Sequence, residues 1–172
     1  MGKALSSLER RCLGPPLVRL DGREPPPDVL WRKHLALLAY LARSPDRTRS
    51  RPHLMGLLWG ERPDEKARRS LNEAVRLLRA TLGDGRLIRD GDALQLNPQQ
   101  LEVDVLQFAQ LCGEGQLRAL ELVRGDFLEG FHVEDAPAFE DWMGTERARI
   151  RDAATQAWSW HCASWPSGKG RA

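Results

Sequence analysis

The chain has 172 residues, with 26 Lys and Arg against 24 Asp and Glu, 41% apolar and 29% charged residues. That length suits one domain or two small ones, and the apolar content excludes wholesale disorder; no apolar run, the longest being Leu35 to Ala42, approaches the roughly 18 residues of a membrane-spanning helix. The small net charge hides an asymmetry: residues 1–100 hold 19 basic and 12 acidic residues, residues 101–172 hold 7 and 12, which suggests one module facing a polyanion and another facing something else.

Ser7 to Cys12 is the first candidate strand, closed by Gly14-Pro15-Pro16. Leu17 to Leu20 alternates and runs into Asp21-Gly22, a hairpin signal with Arg23-Glu24 as partner strand; Pro25 to Pro27 then force a loop. Trp31 to Arg43 reads as a helix with Leu35, Leu38, Ala39 and Ala42 on one face, ended by Ser44-Pro45-Asp46. Ser50 is a good N-cap for a second helix, with Pro52 in its tolerant first turn and Gly60 at its end. After Glu61-Arg62-Pro63-Asp64-Glu65, longer than the three or four residues of a simple helix-turn-helix connection, a third helix runs from about Lys66 to Leu82. Gly83 ends it. Arg86 to Arg89 and Ala93 to Leu96, joined through Asp90-Gly91-Asp92, form a second hairpin. The remainder reads as helical: Val103 to Leu111, Gln116 to Arg124, a turn burying Phe127, Leu128 and Phe131, and a long helix from about Pro137 toward Ala163 capped by Asp135. The stretch from Trp165 to Gly170 reads as a frayed tail.

The third helix is the informative element. At about 100° per residue, Ala67, Leu71, Ala74, Val75, Leu78 and Leu82 fall on one side, and Arg69, Asn72, Arg76 and Arg79 on an adjacent side with Arg68 at its edge. Arg can bond guanine and Asn adenine bidentately, and the same groups bind phosphate. A solvated amphipathic helix would share this pattern, but a helix before it and a hairpin carrying Arg86 and Arg89 after it make up a DNA-binding order. Within the helix, Arg76 lies mid-face. Arg49 and Arg51, ahead of the second helix, are candidate phosphate contacts near its N-terminal dipole.

The run RPHLMGLLWGERPDEKARRSLNEAVRLLRATLG resembles the winged helix of the SARP family, bacterial regulators with an OmpR-type DNA-binding domain. CLGPPLVRLDGREPPP and WRKHLALLAYLA are similar to that domain's N-terminal sheet and first helix, and LEVDVLQF, VRGDFLEGF and DAPAFEDWMGTERARI to the family's bacterial transcriptional activator module. The resemblance covers about Leu8 to Ala157. It implies an α+β winged helix over residues 1–100, with a small N-terminal β-sheet and a C-terminal wing hairpin, then a partial all-α, TPR-like module over 101–172. It also implies a DNA-binding transcriptional regulator, usually an activator, that contacts double-stranded promoter DNA and RNA polymerase. Arg68, Arg69, Asn72, Arg76 and Arg79 fall on the matching recognition helix and Arg86 and Arg89 on the wing. Glu61, Arg62, Asp64 and Glu65 fall at or beside the loop associated with polymerase contact.

About 70 residues follow Gln100, fewer than a module of several helix pairs needs. The expected result is an uncovered apolar face near Trp158, Trp160 and Trp165. Three readings fit it: a homodimer interface, a docking site for a protein partner, or a chain shortened by a frameshift.

The remaining candidates point to no chemistry. Cys12, Cys112 and Cys162 are scattered without a CxxC pair and read as buried thiols. His34, His53, His132 and His161 lack i, i+4 spacing, so no metal is expected. His53, near the start of the second helix, suits an exposed capping role better than a phosphate contact. Glu129, Glu134, Asp135, Glu140 and Asp141 suit solvated helix faces, with no nucleophile or phosphate loop beside them. The expectation is a protein that is not an enzyme and uses no cofactor. The opening Met1-Gly2-Lys3-Ala4-Leu5 runs into Glu9-Arg10-Arg11 without a signal-peptide pattern, so a cytoplasmic location is expected. The alternative function is a protein-interaction adaptor that uses both modules as docking surfaces.

Overall fold

The computed structural model describes residues 8–20, 23, 24, 27, 31–83, 85–97 and 101–164. The Asp21-Gly22 turn, Asp84, Pro98, Cys162's side chain and the stretch from Trp165 onward lie outside what is described.

Strand β1 (Leu8–Arg11) pairs antiparallel with β2 (Leu17–Leu20), in the register Leu8 to Leu20 and Arg11 to Leu17. The pairing that β2 shows is to β1; the expected hairpin to Arg23-Glu24 runs through Asp21-Gly22, outside the described residues. The turn between β1 and β2 needs Gly14: its φ is +124°, and an added Cβ would lie 3.3 Å from the Arg124 Cβ. On its other edge β1 pairs in parallel with β6 (Leu101–Val103). A division of the chain at residue 100 thus falls just before a strand that completes the N-terminal sheet. The turn from β6 into helix α4 (Asp104–Gly113) is fixed by the Asp104 carboxylate, which accepts from the backbone N–H groups of Cys12 at 2.7 Å, Leu13 at 3.0 Å and Val105 at 2.7 Å.

Helix α1 (Arg32–Arg43) is buried continuously from His34 to Ala42, since the other elements surround it. A 3-10 turn at Pro45–Arg47 leads to β3 (Thr48–Ser50) and α2 (Arg51–Trp59). Ser50 caps α2 as expected, its hydroxyl accepting from the His53 N–H at 3.4 Å. Helix α3 (Asp64–Leu82) starts two residues before the expected Lys66. Only residues 60–63 connect the helices, so the connection has simple helix-turn-helix length and the longer loop is corrected. The reason is visible locally: Asp64 and Glu65 sit in the first turn of α3, where the helix dipole favours carboxylates. The buried face of α3 is the one its spacing predicts, Ala67, Leu71, Ala74, Val75, Leu78 and Leu82. Each buried leucine stabilises the fold by roughly 1.5–3 kcal/mol.

The wing is β4 (Leu87–Asp90) and β5 (Ala93–Leu96), turned at Gly91 with φ +55°. Strand β3 adds to β5, giving the order β3-β5-β4. The Arg51 N–H donates to the Asp92 carbonyl at 2.8 Å, tying the start of α2 to the wing turn.

In the following half, residues expected as a helix from Gln116 to Arg124 form a 3-10 segment over Leu117–Leu122. A tight turn at Gly115 precedes it, and the Arg124 N–H donates to the Leu13 carbonyl at 3.2 Å, drawing the chain back to the sheet. Phe127, Leu128 and Phe131 are buried in the next turn, as expected. Helix α5 (Pro137–Ser164) opens with the Ala136 carbonyl accepting from Phe139 and Glu140; Asp135, two residues before Pro137, is not its cap. Two contacts seat α5 on α1. The Trp142 ring meets Tyr40 edge-on at 4.7 Å, and buried Glu146 accepts from Arg43 Nε at 2.5 Å. The fold is a winged helix with small β-sheets followed by a helical segment.

Candidate nucleic-acid interface

Helix α3 turns Arg68, Arg69, Asn72, Glu73 and Arg76 to the outside along its length, and all five are exposed among the described residues. The packing that sets this is the Leu71, Ala74 and Leu78 face beneath, which fixes the rotation of the helix. The helical half therefore leaves these side chains uncovered.

Their engagement differs. Arg68 and Asn72, one turn apart, flank a groove of about 540 Å³ together with Arg51, Arg62, Arg89 and Asp92. Arg51, only 8% exposed, projects from the start of α2 and its Nη2 donates to Asn72 Oδ1. That contact orients the amide from behind. Burial is the main cause pushing the Arg51 guanidinium below its ordinary value; Arg89, Arg68 and Arg79 add to it, while Asp92 opposes. Four guanidinium groups, those of Arg51, Arg62, Arg68 and Arg89, thus line the groove against two carboxylates, Asp64 and Asp92, an excess of positive charge that favours an anion there.

Arg76 is forked onto Glu73, with Nε to Oε2 at 2.9 Å and Nη2 to Oε1 at 2.6 Å. The bidentate bond raises the Arg76 value and is the chief cause of the lowered Glu73 value. Arg69 stands 3.8 Å from Glu65 and its side chain is 82% exposed.

Several expected contact residues take other places. Arg86 is buried at 4% exposure in the turn before β4, so it is not a phosphate contact on the wing strand. Arg51 is a brace behind Asn72, enclosed by α2, α3 and the wing turn. Arg79, half-buried, donates from Nε to the Leu87 carbonyl at 2.8 Å and couples α3 to the wing. Arg89 stays exposed on β4, its Nε donating to the Gly91 carbonyl at 3.1 Å. Arg49 is partly buried on β3, its guanidinium 5.8 Å from the centre of the Tyr40 ring. His53, exposed on α2, has Nε2 at 2.6 Å from the Tyr40 hydroxyl and its ring stacked on Tyr40. Tyr40 itself escapes a reading of spacing, because it lies in the buried run of α1 among leucines.

At the start of α3, Glu61, Arg62, Asp64 and Glu65 are all exposed; Glu61 and Arg62 lie in the connection, Asp64 and Glu65 open the helix, and Arg62 and Asp64 also line the groove. Arg62 Nη1 donates to Ser70 Oγ at 3.3 Å.

Among the described residues no group of three His, Cys, Asp or Glu is placed to hold a metal ion, and no helix is long and apolar enough to cross a membrane. Burial pushes the Cys112 thiol up, away from the reactive thiolate.

Residues 29–90 match the family "Transcriptional regulatory protein, C terminal". No curated protein sequence matches the chain significantly. Among solved structures, the chain is similar to Mycobacterium tuberculosis EmbR in complex with a low-affinity phosphopeptide, with a TM-score of 0.60 at 22% identity. The similarity covers 88% of this chain and 45% of EmbR, so the chain spans less than half the length of that protein.

Proposed function

We propose, from the match of residues 29–90 to the family "Transcriptional regulatory protein, C terminal", that this chain is a SARP-like regulator that binds double-stranded promoter DNA sequence-specifically. The observation that carries this reading is the Arg51–Asn72 pair, with Arg68 and Arg89 beside it, on an uncovered face. Asn72 and Arg68 are the proposed base readers from the major groove. Arg69 and Arg89 supply backbone contacts. Arg76 joins when a base edge or phosphate replaces the carboxylate of Glu73. Arg51 and Arg79 act from behind, by holding Asn72 and the wing.

A transcriptional activator also needs a protein contact. The exposed connection with Glu61 and Arg62, followed by Asp64 and Glu65, is the proposed surface for RNA polymerase, with Glu61 and Glu65 outside the groove that Arg62 and Asp64 help to line. The chain as a whole is proposed to comprise a winged-helix unit to about residue 100 and a helical unit after it, the latter setting oligomeric state or partner choice. Its action is binding without covalent chemistry, in the cytoplasm.

Selection from a random duplex library tests the reading. The expected result is a defined motif, and Asn72→Ala should relax one position of it. Recovery of no enriched sequence, with equal weak binding to every duplex, would leave the adaptor alternative in its place.

A further inference from the structure

Tyr40 is the meeting point of three elements, and nothing in the DNA-binding reading above uses it. It is buried at 7% exposure on α1. From α5, Trp142 packs edge-on against its ring at 4.7 Å and 70°. From α2, His53 stacks on it at 5.6 Å and 24°, with Nε2 at 2.6 Å from its hydroxyl. From β3, the Arg49 guanidinium lies 5.8 Å from its centroid. Arg49 and His53 sit one residue before and three after Ser50, the cap of α2. They therefore bracket the segment that enters the DNA-facing groove through Arg51.

Trp142 is itself held from behind. Its ring meets Phe139 at 5.3 Å and Phe127 at 5.9 Å, both nearly fully buried in the helical half. One turn further along both helices, Arg43 and Glu146 repeat the α1–α5 contact with charges. Two contacts a turn apart fix both the spacing and the rotation of α5 on α1.

We propose that Tyr40 and Trp142 are positioning residues for DNA binding: Trp142, from the helical half, sets Tyr40, and Tyr40 sets the Arg49 and His53 side chains as DNA-backbone contacts. The inference rests on the DNA-binding reading. Its chemistry is specific. The Tyr40 hydroxyl engages one ring nitrogen of His53 and leaves Nδ1 as the other polar atom of an exposed ring. The aromatic face holds a guanidinium by cation–π attraction, which limits its rotamers without neutralising its charge. An arginine held this way loses less side-chain entropy on meeting a phosphate than a free one. A ligand or partner that shifts α5 would then change DNA affinity through one aromatic joint.

The test uses the full chain and a duplex to which the wild type binds. Tyr40→Phe removes only the hydroxyl, and Trp142→Phe keeps an aromatic ring. Each is expected to weaken binding about three- to tenfold, the scale of one charge-assisted contact. The slope of log affinity against log salt should fall by about one, the value of one phosphate. In a His53→Ala background the Tyr40→Phe effect should shrink by at least half, a non-additivity that a general loss of stability does not produce. Unchanged affinity and salt slope in both variants would overturn the proposal while leaving DNA binding intact. So would fully additive losses with His53→Ala. Absence of salt-dependent duplex binding by the wild type would instead remove the DNA-binding reading, and this inference with it.

Discussion

Helices α3 and α5 are both long, and they use their length differently. α3 buries one face from Ala67 to Leu82 and exposes charge along the other. α5 is buried at Phe139, Met143, Glu146 and Ile150 over its first part, whereas Trp158 and Trp160 further along are 58% and 74% exposed. The lesson is that a helix's energetic role is set residue by residue by what covers it, not by its composition. α3 is a fixed platform for a cationic face; α5 is a clamp at one end and carries exposed tryptophans further along.

This contrast can be broken by experiment. Phe139→Ala should destabilise the protein by about 3–5 kcal/mol in urea unfolding, while Trp158→Ala on the same helix should change it by less than about 0.5 kcal/mol. Similar costs at both sites would mean that the far end of α5 is covered in solution. Glu146→Ala should cost about 2–3 kcal/mol by the same measurement. That is less than for a fully buried pair, because the Arg43 side chain keeps 22% exposure and regains some water. On α3, Asn72→Ala should cost about 1–2 kcal/mol of stability, because it removes the acceptor of the buried Arg51 guanidinium, and lose about 1–3 kcal/mol of binding to the selected site. The smallest effect is expected at Glu73→Gln. Freeing Arg76 and removing one negative charge should tighten binding to random duplex by about two- to fivefold, read by fluorescence anisotropy. Weaker binding would show that Glu73 itself reads a base.

The sequence made some of this legible and hid the rest for physical reasons. The spacing of Leu71, Ala74 and Leu78 determines which side of α3 faces out, because a 3.6-residue period leaves no other way to bury them. Asp90-Gly91-Asp92 announces the wing because Gly91 takes a positive φ that glycine tolerates. Strand β3 is three polar residues, Thr48, Arg49 and Ser50, whose strand character exists only in the company of β5. Strand β6 joins β1 from more than ninety residues away, and a parallel pairing leaves no local turn signal. Among the arginines, the charged face is visible but not the rank order. Arg51 and Arg86 look identical to Arg68 and Arg89 in one dimension. Only packing from other elements separates braces from contacts, and only side-chain placement reveals the fork between Arg76 and Glu73.

The central claim is that the exposed side of α3 is an anion-binding, DNA-reading face. The most direct measurement is the affinity of the full chain for its selected duplex across a salt series, compared with the Arg68→Ala/Arg69→Ala/Asn72→Ala variant. The account predicts a steep salt dependence for the wild type, and for the variant a loss of at least tenfold with a slope smaller by about two. Equal affinity and equal slope for the two proteins would contradict it.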